Sequence, residues 1–377
     1  MKLFHTFISQ EAKDNVLRVL DGGWPGMGVE TELFESEFAA YIGAKYAIAT
    51  NSGTEALRLA THIASRKTKH GYAVTTPNTF IASNVVLVQN DMHPIFTDIE
   101  YSTGNMKIED VELALQSYNC GLIMLVHYGG MPADIASFEN LAARYRVELI
   151  HDCAHACGAI YGGEKVGKDV KYACYSFHAV KNLPIGDGGM LVTNDDEVAL
   201  LARQLRWFGI DKSTYQRFQG TYSWEYDVID FGYKGHMWDV QAAIGRGQLP
   251  YVDQWNAKKA ILVDRYRKNF HSCGFPRPLN RPTYNSQSSN YLFVVQFENK
   301  DSRHKVAEAL NKEGIQAGMH YKPNYLYKNY SDFPIIGTKN MEKFYETALT
   351  LPLHLGLVEA DIDKVCDIIQ ESLCVWL

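Results

Sequence analysis

Between about residues 45 and 195 the chain repeats one rhythm, a short apolar run followed by a helix-patterned stretch, and this limits its possible folds more than any other feature. "AIAT" runs into "SGTEALRLATHIAS", "AVTTP" into "NTFIASNVVLVQND" and "GLIMLVHY" into "ADIASFENLAARYR", after which "ELIHDCAHA" follows. Strands alternating with helices predict an α/β fold, a mainly parallel sheet covered by helices on both faces. Ligands of such a sheet are expected at the carboxyl ends of its strands.

Residues 196–272 read as mostly helical, with an aromatic, glycine-containing insertion "YQRFQGTYSWEYDVIDFGYKGHMWD" between two amphipathic segments. Long aromatic loops of this kind tend to be functional or interfacial. "GFPRPLNRPTYNSQSSN" has the punctuation of a connection. Beyond it a new unit is expected: a strand at 291–297, a helix at 302–313, the loop "GIQAGMHYKPNYLY" and a closing helix at 360–373. A chain of 377 residues exceeds one ordinary core. Two domains are therefore expected, a large one over 1–250 and a small C-terminal one over 251–377.

Composition serves mainly to exclude. With 46% hydrophobic and 21% charged residues, neither disorder nor a coiled coil is indicated. A net charge of −6 offers no basic field for nucleic acid. No apolar run reaches the roughly 18–20 residues that span a bilayer. The start "MKLFHTFISQEAKDN" turns polar too soon for a secretory signal, so a cytoplasmic protein without a membrane partner is expected. The seven cysteines are scattered and mostly in apolar segments, which suits reduced thiols. Cys153 and Cys157 stand four apart, but no second cysteine or histidine pair stands at zinc spacing, and no metal site is expected.

Three places carry chemistry. Ser52-Gly53-Thr54 joins a short strand to a strong helix pattern, where a glycine permits close approach and a helix N-terminus favours an anion such as phosphate. A plain helix cap explains the same residues. Ser176 admits a similar anion role or that of an ordinary strand-end serine. Asp152 ends the apolar run "VELIH" beside small residues, so it is expected inside, where a carboxylate needs a cationic partner. A structural salt bridge would satisfy it equally, and His155 alone reads as a core histidine. Lys181 lies in "YSFHAVKNLPIGDGGMLVTND", between a strand and a glycine-rich turn that argue against the surface position usual for lysine. Burial favours its neutral amine, a nucleophile able to form a Schiff base with an aldehyde. A phosphate cradle, a buried carboxylate and a buried lysine on successive strand ends describe one ligand, pyridoxal 5′-phosphate.

At this point the chain resembles the DegT/DnrJ/EryC1/StrS family of sugar aminotransferases, which have the aspartate-aminotransferase fold (fold type I) of such enzymes. The likeness spans nearly the whole chain: "GGWPGMGVETELFESEFAAYIGAKYAIATNSGTEAL", "LVHYGGMPADI", "HDCAHACGAIYGGEKVG", the lysine segment, "GYKGHMWDVQAAIGRGQL", and "GIQAGMHYKP" with "LTLPLH". It implies a large domain with a mainly parallel seven-stranded sheet and a smaller C-terminal α/β domain. It assigns Lys181 as the Schiff-base lysine and proton shuttle, and Asp152 as the partner of the ring nitrogen. His155 falls where relatives place Gln or His against the phenolic oxygen, and Phe80 where an aromatic stacks on the ring. Phosphate would be held by backbone N–H groups around Gly53, Thr54 and Glu55 and by the Ser176 hydroxyl. Lys234 in "GYKGHM" replaces an asparagine that in many relatives reaches the neighbouring subunit's phosphate, and lysine cannot copy an amide's geometry. If that contact holds, a homodimer shares its active sites. Trp24, His178, His320 and Tyr321 fall at positions near the substrate.

The implied reaction moves an amino group from L-glutamate to a nucleotide-linked 3-keto- or 4-keto-deoxysugar. His178 before the lysine looks like relatives acting at C4, and "GDGG" in place of "GEGG" like relatives acting at C3, so the carbon stays open. A dehydratase branch carries histidine where this chain has Lys181. A cyclitol aminotransferase, an aminodehydratase and a non-catalytic cofactor-dependent regulator remain as alternatives on the same scaffold.

Overall fold

The computed structural model describes residues 1–212, 224–271 and 276–374. Residues 215–223 of the aromatic insertion, Cys273, and Gly274 and Phe275 of the connection lie outside the described residues. Helices α1 (Gln10–Asp21) and α2 (Val29–Ile42) open the chain. The alternation follows as β1 (Tyr46–Thr50), α3 (Gly53–Arg66), β2 (Tyr72–Thr75), α4 (Ala82–Gln89), β3 (His93–Thr97), α5 (Ile108–Ser117), β4 (Cys120–Val126), α6 (Ile135–Tyr145) and β5 (Glu148–Asp152). A short hairpin, β6 (Ile160–Tyr161) and β7 (Glu164–Lys165), precedes β8 (Ala173–Ser176) and β9 (Gly189–Thr193). Helices α7 (Asp196–Leu205), α8 (Asp239–Gln248) and α9 (Val252–Phe270) come next. The rest comprises β10 (Arg277–Pro278), β11 (Ser286–Gln287), β12 (Phe293–Gln296), α10 (Lys300–Lys312), β13 (Ile335–Ile336), α11 (Lys339–Thr347), β14 (Ala348–Leu351) and α12 (Glu359–Cys374).

The main sheet has eight strands in the order β1-β9-β8-β5-β4-β2-β3-β13. Seven come from residues 46–193, and the eighth, β13, pairs in parallel with the β3 edge and adds a strand to the seven expected. All seven residues of β4 are buried, which suits a continuous apolar run in a strand covered on both faces. Strand β9 is antiparallel to both β1 and β8, so β1 runs in the same direction as β8. The carboxyl ends of β1, β2, β4, β5 and β8 therefore share one edge. Each strand delivers the residues that follow it to that edge.

Apolar layers cover the sheet, with Phe34, Phe38 and Phe177 in one and Leu57, Ile63 and Met124 in another. A separate cluster of Leu262, Phe270, Phe293, Val295, Leu310 and Ile369 surrounds the small antiparallel sheet β10-β12-β14. Helix α9 joins the two, burying Val252 in the first and Leu262 in the second. A further cluster with Phe96, Tyr128, Tyr291, Val294 and Phe344 fills the seam between them. The expected C-terminal strand is shorter than its apolar run, because Tyr291 and Leu292 leave the ladder to pack in that seam.

Candidate active site

A cavity of about 420 Å³ opens at the shared strand edge. Of the thirteen residues singled out in the sequence, it brings together ten: Gly53, Thr54, Phe80, Asp152, His155, Ser176, His178, Lys181, His320 and Tyr321. Glu55, Trp24 and Lys234 do not line it. The Glu55 backbone N–H is taken by the Ser52 hydroxyl at 3.1 Å, and its carboxylate pairs with Arg58. Trp24 donates its indole N–H to the Met27 carbonyl at 3.2 Å and lies against Gly28. Lys234 stacks its ammonium over the Trp207 ring at 3.9 Å, while its carbonyl accepts from the Asn51 amide at 3.2 Å.

Asp152 is the end of β5 and is 4% exposed. One carboxylate oxygen accepts from the Ser83 hydroxyl at 2.6 Å and the other from the Ala154 N–H at 3.0 Å. Burial raises its pKa, against the pull of these two bonds and of Lys181. Lys181 follows β8 through the turn at 177–181, held by its own N–H on the His178 carbonyl at 2.8 Å. Its amine donates to the Tyr291 hydroxyl at 3.2 Å. Burial lowers its pKa to about 7, although Asp152 opposes the shift. A substantial fraction of the neutral amine is therefore present at neutral pH.

The anion end is built by contact. A Cβ on Gly53 would stand 2.6 Å from the Ser176 Cβ, so glycine alone lets the start of α3 close on Ser176. That contact sets the first N–H groups of a fourteen-residue helix beside a hydroxyl in the cavity wall. His155 accepts the Gly129 N–H at Nδ1, 3.3 Å away, which places its proton on Nε2, 3.1 Å from the Tyr321 hydroxyl. Burial holds its pKa well below the usual value, and the ring is neutral. Phe80 is 58% exposed at the mouth, and its ring lies 6.3 Å from that of Tyr321. His320 bonds the Thr350 hydroxyl at 2.9 Å and is pushed down to about 4 by burial.

Pyridoxal phosphate fits these residues. The N-terminus of α3 with Ser176 matches its phosphate, Asp152 lacks a full cationic partner such as a ring N–H⁺ would supply, and the Lys181 amine matches its aldehyde. Sequence reasoning missed Ser83, Thr79 and Tyr291. Ser83 accepts from the Thr79 hydroxyl at 2.7 Å and reaches Asp152 because it sits three residues past Phe80, on the first turn of α4. Tyr291 had signalled only the start of a strand. Phe4 also lines the cavity and gave no signal in the sequence.

Fold and site together define a pyridoxal-phosphate-dependent transaminase. The model of the DegT/DnrJ/EryC1/StrS aminotransferase family matches residues 6–370, and the chain belongs to that family. It is 30% identical to the spore coat polysaccharide biosynthesis protein SpsC of Bacillus subtilis, over 97% of this chain and 95% of that protein. Among solved structures it matches PseC of Helicobacter pylori, an aminotransferase of pseudoaminic acid biosynthesis, at 28% identity and a TM-score of 0.89 over 98% of each chain. It also matches Spr1654 of Streptococcus pneumoniae in its PLP form, at 25% identity and a TM-score of 0.89 over 99% of this chain and 98% of that one. No helix among the described residues is long and apolar enough to cross a membrane.

Proposed function

We propose that this protein transfers the amino group of L-glutamate to C3 or C4 of a nucleotide-linked keto-deoxysugar, making an amino sugar for a polysaccharide or glycan. The observation that carries the reading is one cavity lined by both Lys181 and Asp152, with the lysine lowered to about 7. The relatives support a sugar acceptor: one is named for polysaccharide biosynthesis and one for pseudoaminic acid biosynthesis. Pyridoxal phosphate, when bound, supplies an aldehyde for the amine and a ring that withdraws electrons from the adjacent carbon.

In this reading the Lys181 amine would hold the cofactor through its aldehyde and would carry the proton at the donor's α-carbon. Asp152, whose carboxylate accepts from Ser83 and Ala154, would hold the ring nitrogen in its protonated form. His155 would orient the phenolic oxygen, and Gly53, Thr54 and Ser176 would hold the phosphate, the Glu55 N–H being taken by Ser52. Phe80 covers the ring, while His178, His320 and Tyr321 face the sugar. Trp24 and Lys234, outside the cavity of this chain, serve the nucleotide side and the neighbouring phosphate in a cytoplasmic homodimer. The division near residue 250 belongs to the same reading, supported by the separate C-terminal cluster. Assaying nucleotide keto-sugars bearing dTDP, UDP or GDP with glutamate tests it. Amination of at least one is expected; loss of the bound aldehyde's absorbance with glutamate, but turnover of no keto-sugar, would overturn the acceptor class.

A further inference from the structure

A second, small cavity lies behind the active-site wall, with a volume of about 40 Å³. Lys181 and Tyr291 line both cavities. Its other walls are the N-terminal segment (Phe4, His5, Phe7), the turn after Lys181 and one face of α9, where Trp255 and Lys259 stand one turn apart. Two lysines and two histidines line it, and no carboxylate does.

Lys259 is 7% exposed, and its side chain makes no hydrogen bond or ion pair among the described residues. The Cys157 thiol that interacts with it is pushed up to about 12 by burial and brings no negative charge at neutral pH. His354 is committed to neutral contacts, donating to the Lys2 carbonyl at 3.2 Å and accepting the Gly356 N–H at 3.2 Å. A buried ammonium without a counter-charge is costly, so it either sheds its proton or recruits an anion. The space decides what could enter: it exceeds the ~10–15 Å³ that one water requires and falls far below the roughly 300–1,000 Å³ of organic-ligand pockets.

We propose that this cavity is a binding site for a single small inorganic anion such as chloride, held by the Lys259 ammonium beneath the N-terminal segment. The holoenzyme, exchanged into gluconate, is titrated with chloride at constant ionic strength while the thermal unfolding midpoint is followed, and crystals are soaked in bromide. The midpoint is expected to rise saturably in the wild type and in Lys259→Arg, and the rise to be lost in Lys259→Met. Anomalous density for bromide is expected within hydrogen-bond distance of Lys259 Nζ. An unresponsive wild type, an equal response in Lys259→Met, or no bromide at that nitrogen would each overturn the assignment. Bromide density without the solution response would mark an adventitious ion only and overturn it too. Should Lys259→Met fail to fold, the wild-type titration and the bromide map decide between the two outcomes.

Discussion

Lys181 and Asp152 are displaced in opposite directions for one reason: burial penalises the charged form of each, lowering the amine and raising the carboxyl. Each partly offsets the other. Ser83 opposes the rise at Asp152, because its hydroxyl bonds the carboxylate at 2.6 Å and Thr79 in turn contacts that hydroxyl. A hydrogen bond to a charged group is worth about 1.5–3 kcal/mol. Ser83→Ala should therefore raise the Asp152 pKa further and weaken cofactor affinity by about tenfold or more, with Ser83→Thr restoring it. Equilibrium dialysis with pyridoxal phosphate measures this, and equal affinities in all three proteins would remove Ser83 from the site. Asp152 and Lys181 were legible in the sequence because each interrupts an apolar run, where a charge demands explanation. Ser83 was not, since a serine in the first turn of a helix needs no partner to be unremarkable.

At the scale of elements, the site depends on where α3 starts. Ser52 caps that helix and leaves its first turn pointing at the cavity, and Gly53 removes the one Cβ that would keep it from Ser176. Gly53→Ala forces a 2.6 Å contact, and overpacking of this kind costs about 1–3 kcal/mol. Urea unfolding should show that loss, and cofactor affinity should fall as the helix start is pushed from Ser176. Unchanged stability and affinity would mean the cradle lies elsewhere. The alternation from 45 to 195 made this edge readable, because strand polarity follows from helix crossovers. The β1–β9–β8 arrangement was not readable: β9 runs antiparallel, and only the pairing of Tyr46–Thr50 with Gly189–Thr193 reveals it. Strand β13 was equally hidden, being two residues with no period to detect.

For the whole molecule, burial holds several histidines neutral around the carboxyl ends of β4 and β5. His127 and His151 are buried with ring nitrogens 3.2 Å apart, and burial lowers both, His151 to about 4. His155 and His320 are lowered likewise. Their folded pKa values lie below the unfolded value near 6.5, so the unfolded chain binds more protons between the two. Stability is then fully present above about pH 6.5 and declines as pH falls towards 4. Asp152 and other carboxyls raised by burial, Glu55 among them, act in the opposite sense, while His62 and His236, also lowered by burial, add to the four histidines. Urea midpoints should drop from pH 7.5 to pH 5.0; a flat profile would show that the histidines titrate as exposed groups. The most direct measurement concerns the amine itself. Reducing the cofactor-loaded protein with borohydride and sequencing the labelled peptide should place the phosphopyridoxyl group on Lys181 of the segment 175–195. A label on another lysine, or an equal label in Lys181→Ala, would contradict the account.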